Sequence, residues 1–113
     1  MRRRAKRALR RERRNLHRAA RARDSKTFAA AAVSAMRVAC APHYPAAPRA
    51  LVGRDVLECL GNGGGGARKA EVIRRFFAAT DAAEFATTST ETASLLDLEP
   101  EVDRLLEEME AKL

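Results

Sequence analysis

The chain has 113 residues, 24 of them alanine with no tryptophan and a single tyrosine, and a formal net charge of +7. That length suits one domain with a modest core that needs neither disulfides nor a metal. No apolar run approaches the ~20 residues that span a bilayer, and Cys40 and Cys59, in a chain with no signal-peptide pattern, read as reduced and buried small residues rather than a disulfide framework.

Alanine has the highest helix propensity and runs of β-branched residues are missing, so the expected fold class is all-α, a small helical domain of four main helices and one short helix. The charge is uneven: residues 1–23 hold eleven arginines and Lys6 against Glu12, a local balance of +11, whereas residues 24–113 sum to −4. Leu, Ile, Val and Phe number 22, and 20 of them follow residue 23. The chain therefore divides into a basic helix at 1–23 and a helical core domain at 24–113.

Residues 2 to about 22 form the first predicted helix, since strong helix formers run without a Gly or Pro. Ala5, Leu9, Leu16 and Ala19/Ala20 mark a thin apolar stripe among cations. Only the part from about Leu9 offers enough apolar surface to dock, so the first turns are expected to fray, and removing residues 2–14 to leave the fold nearly as stable. Asp24 precedes a new periodic run and caps a second helix at about Ser25 to Ala41, ended by Pro42 and forming an antiparallel hairpin with the first. Gly53 to Leu60 reads as a short third helix with Gly61 as its stop. A flexible Gly-rich loop, GNGGGG at 61–66, follows.

Residues 67–86, ARKAEVIRRFFAATDAAEFA, hold three of the four phenylalanines on a helical period. This stretch, with a helix at about Ala67 to Phe85, is the expected centre of the fold. A polar loop at 87–94 leads to a last helix on LLDLEPEVDRLLEEMEAKL. There Pro100 either occupies the first turn behind a lead-in at 95–98 or bends a helix that begins at Ser94; the first is favoured, because an interior proline costs about 3 kcal/mol. The expected core is Phe28 and Met36, then Val56 and Leu60, then Val72, Ile73, Phe76, Phe77 and Phe85, and finally Leu98, Val102, Leu105 and Met109.

Few residues carry chemistry. Gly61, Gly63 and Gly66 match G-x-G-x-x-G, but the dinucleotide fingerprint needs a preceding buried strand, and DVLECL reads as helical. Cys40, His43, Cys59 and His17 lack the paired spacing of a zinc site, and both cysteines sit near helix C-termini, where the dipole disfavours a thiolate. The acids Glu107, Glu108 and Glu110 read as a solvated helix face. No catalytic, cofactor or metal site is assigned, and an enzyme is not expected.

The basic head has a functional reading. Arg2, Arg3, Arg4, Lys6, Arg7, Arg10, Arg11, Arg13 and Arg14 form the candidate contact with an anionic surface, at about 1 kcal/mol per residue near a membrane. Nucleic-acid phosphates along residues 2–23 are the alternative partner, and a plain solubilising helix a third possibility. Against nucleic acid, no aromatic is interleaved for stacking and Asn15 is the only amide in the run.

Taken together, the Ala/Arg helix, the break at Asp24, KTFAAAAVSAM, GRDVLECLG, FFAATDAAEFA and LEPEVDRLLEEMEAKL resemble the cytoplasmic C-terminal tail of BatD-type proteins of the bacterial Bat, or aerotolerance, group. The likeness covers nearly the whole chain and is best at Phe76 to Ala86. It implies a non-catalytic cytoplasmic interaction module of a membrane-anchored, stress-related protein, located at the cytoplasmic face of the bacterial inner membrane. Extracytoplasmic β-sandwich domains and one membrane helix are implied upstream, with Met1 supplied at the start of the piece. MRRRAKRALRRERR then becomes the juxtamembrane segment on the positive-inside side. Implied partners are other Bat-type membrane proteins with von Willebrand A domains and a MoxR-type AAA+ ATPase.

Overall fold

The computed structural model describes residues 2–43, 55–56, 66–81 and 94–111. Among these residues the protein is all-α: α1 (Arg2–Arg21), α2 (Ser25–Cys40), α3 (Gly66–Asp81) and α4 (Glu99–Ala111), with 3-10 turns at Ala41–His43 and Leu95–Leu98.

The α1–α2 hairpin turns within three residues, Ala22, Arg23 and Asp24. Arg23 takes the left-handed conformation at φ 59°. Its N–H donates to the Ala20 carbonyl at 3.1 Å, and the Asp24 N–H to the Ala19 carbonyl at 2.9 Å. These two bonds satisfy carbonyls that the end of a helix would otherwise leave open. Asp24 also starts the next helix: its carboxylate accepts the Thr27 N–H at 3.2 Å and the Thr27 hydroxyl at 2.6 Å. Those bonds hold the Asp24 carboxyl below its ordinary value.

α2 lies at the centre. Nine of its 16 residues are buried, from Phe28 to Cys40. The central role expected of 67–86 therefore passes to α2, because alanines on nearly every side let α1, α3 and α4 approach it together, where larger side chains would hold neighbours off. α3 contributes Val72, Ile73, Phe76 and Phe77 to the same core. The Phe76 ring meets Phe28 edge-on, with centroids 5.7 Å apart and planes at 63°, and the Arg37 guanidinium covers Phe77 at 5.2 Å from its centroid. α3 begins at Gly66, one residue inside the expected glycine loop; the rest of that loop, the short helix apart from helical Asp55 and Val56, the polar loop apart from Ser94, and Leu60, Cys59 and Phe85 lie outside the described residues.

Pro100 stands second in α4, behind the Leu95–Leu98 turn, where its missing N–H breaks no helix bond. Met36, Val56, Leu98, Val102, Leu105 and Met109 are buried, as are Leu95 and Leu106, which the sequence reading did not place in the core. α1 differs from expectation. It is helical from Arg2, and Ala5, Leu9, Leu16 and Ala19 are all buried, so its first turns pack on the core instead of fraying. Cys40 is buried and not disulfide-bonded.

Candidate anionic-surface interface

α1 sorts its cations by face, and the helix period decides which charge goes where. With Leu9 and Leu16 turned into the core, Arg10, Arg13 and His17 fall on the edge that meets α4. Arg10 donates to Glu110 at 3.1 Å. Arg13, with only 20% of its side chain exposed, donates to Glu110 at 3.2 Å and lies 3.7 Å from Asp103 and 3.8 Å from Glu107. His17 Nε2 sits 2.7 and 3.0 Å from the two Asp103 oxygens. The three steps 10 to 110, 13 to 107 and 17 to 103 run in opposite senses, so α1 and α4 are antiparallel. Arg10 and Arg13, expected to face an anionic surface, are instead tied to the acids of α4.

The outer face is different. Arg4, Arg7, Arg11, Arg14, Arg18 and Arg21 recur at steps of three and four, and all six are exposed. The line is about 25 Å long at 1.5 Å per residue. Among the described residues none of the six has an ion pair. Arg3 and Lys6 are exposed beside it; the side chain of Arg2 lies outside the described ones. Arg18 and Arg21, beyond the residues named from the sequence, continue the same three-four step.

Five of the six acids of α4 are engaged away from this line. Of the six in α4, Asp103, Glu107 and Glu110 face the inner edge of α1, while Glu101 pairs with Arg68 at 2.9 Å and Glu108 with Lys69 at 2.7 Å on α3. The arginine line contains five neighbouring like-charge contacts at i,i+3 or i,i+4. Each opposes the helix by about 0.2–0.5 kcal/mol, so together they cost about 1–2.5 kcal/mol. α1 also has no acid in its first turn, where the dipole favours one. Helix α1 holds this line because Leu9 and Leu16 anchor its other side.

Among the described residues no three His, Cys, Asp or Glu lie together as a metal site would require, and no helix is long and apolar enough to cross a membrane. Comparison of the chain with protein-family models, with curated proteins and with solved structures finds no match.

Proposed function

We propose that the chain is a non-catalytic interaction module that rests by the outer arginine line of α1 on the anionic headgroups of a cytoplasmic membrane leaflet. The observation that carries this reading is the line of six exposed arginines with no ion pair among the described residues, on a docked helix, while five of the six acids of α4 are paired elsewhere. At about 1 kcal/mol per basic residue near such a surface, six arginines are enough for peripheral and salt-sensitive attachment. Because the apolar stripe of α1 is buried in the core, contact is at headgroup depth and no side chain inserts. The resemblance to a BatD-type tail fits this placement, since it puts α1 next to a membrane helix on the positive side. In that setting the module faces the cytoplasm beside Bat-type membrane proteins and a MoxR-type ATPase.

Sedimentation with vesicles tests the reading. The protein is expected to pellet with vesicles containing phosphatidylglycerol, to remain free with pure phosphatidylcholine, and to be released as salt rises above about 150 mM, where the Debye length falls below roughly 8 Å. Replacing Arg7, Arg11, Arg14 and Arg18 with glutamine should abolish pelleting while leaving the helical circular dichroism intact. Tighter binding to DNA or RNA than to anionic vesicles at that salt would replace the membrane with a nucleic acid.

A further inference from the structure

We propose that the outer arginine line of α1 holds phosphomonoester lipid headgroups, one to each of three successive arginine pairs, so that the lipid is chosen by the shape of its phosphate as well as by its charge. The proposal rests on the membrane reading and names the headgroup within it. The pairs are Arg4 with Arg7, Arg11 with Arg14 and Arg18 with Arg21, all exposed and without an ion pair among the described residues. Within a pair the Cβ atoms stand about 5–6 Å apart, and the pairs repeat every seven residues, about 10.5 Å along the axis. Leu9 and Leu16 are buried in the core and fix the rotation of the helix, so the pairs face outward before any ligand arrives.

Residue type and charge choose the ligand. Every position of the line is arginine, whereas Lys6, the one lysine of α1, stands off it. Glu12, the one acid of α1, has Ala8, Leu9, Asn15 and Leu16 as its neighbours at steps of three and four, and none of the six arginines. An ammonium is a point charge, but a guanidinium is a planar fork that donates two parallel N–H bonds to two oxygens of one phosphate. Two forks converging from neighbouring turns need more acceptors than the two non-bridging oxygens of a phosphodiester. A phosphomonoester presents three oxygens and carries about −1.5 to −2 charges at neutral pH, which matches the two cations of a pair. Bound there, it offsets the like-charge contact between them, where a singly charged headgroup leaves one cation unmatched.

Sedimentation of the full chain with two kinds of vesicle separates headgroup from charge: phosphatidylcholine with phosphatidic acid, and phosphatidylcholine with phosphatidylglycerol, matched in zeta potential. The protein should bind the phosphatidic acid vesicles about tenfold more tightly, the combined effect of several exposed charge pairs. Changing Arg4, Arg7, Arg11, Arg14, Arg18 and Arg21 together to lysine keeps the charge and the helix propensity. That variant should bind both vesicles at the parent's phosphatidylglycerol level. Equal binding of the parent to the two vesicles, or a lysine variant that keeps the preference, would overturn the phosphate pairs and leave the membrane reading in place. Pelleting with neither would overturn both. Inorganic phosphate added at constant ionic strength should not release the protein from phosphatidic acid, since three linked sites hold the surface together; release would make a soluble phosphate the ligand and overturn the lipid assignment.

Discussion

Replacing Phe76 with alanine tests whether the α2–α3 contact holds the core together. Phe76 is fully buried, and its ring stands edge-on to Phe28 at 5.7 Å. Removing a buried phenylalanine ring costs about 3–5 kcal/mol, of which the ring-ring geometry accounts for about 0.5–1.5 kcal/mol. A domain of this length has a total stability of roughly 6–17 kcal/mol, so at the lower end Phe76→Ala removes most of the fold's margin. Phe76→Leu keeps most of the volume, loses the ring pair, and should cost about 1–1.5 kcal/mol. Urea melts followed by far-ultraviolet circular dichroism measure both. A double-mutant cycle of Phe28→Leu with Phe76→Leu should return a coupling of about 0.5–1.5 kcal/mol. A Phe76→Ala loss below about 1 kcal/mol, or a cycle with no coupling, would refute the packing described for α2 and α3.

Three further outcomes are expected. Arg23→Gly should stabilise the hairpin by about 0.5–1 kcal/mol in the same melts, since glycine removes the left-handed strain at φ 59° but adds freedom to the unfolded chain; a loss would mean that the Arg23 side chain matters more than its backbone. Asp24→Ala should lower the melting temperature at neutral pH. The Asp24 carboxyl is held below its ordinary 3.8 by the Thr27 bonds, so its contribution is complete above that value and is lost as pH falls through the lowered one. The variant and the parent should therefore converge in acid, and a pH-independent difference would point to another cause. Arg13→Ala, which strips a partner from three acids of α4, should cost about 1–2 kcal/mol and lose part of that in high salt, whereas the unpaired Arg14→Ala should stay within about 0.5 kcal/mol of the parent; equal losses would show that the two faces of α1 are not distinct.

Helical class, the start of α2 at Asp24, its end before Pro42 and the place of Pro100 were all legible in the chain, because they depend on groups within a turn of one another: a short carboxylate near free N–H groups, a ring without a donor, a repeating apolar step. The arginine step was legible too, through Arg21. Which arginines are free was not. Arg13 and Arg14 are neighbours in a uniform basic run, and only the antiparallel seating of α4 gives one of them three carboxylates and leaves the other in solvent. That seating is decided by packing between residues nearly a hundred positions apart. The centre of the fold was hidden for a related reason. A helical wheel weighs side chains one at a time, which favours the phenylalanines of α3, whereas the worth of an alanine-rich helix such as α2 lies in how closely its neighbours approach, a property of the assembled structure and of no single residue.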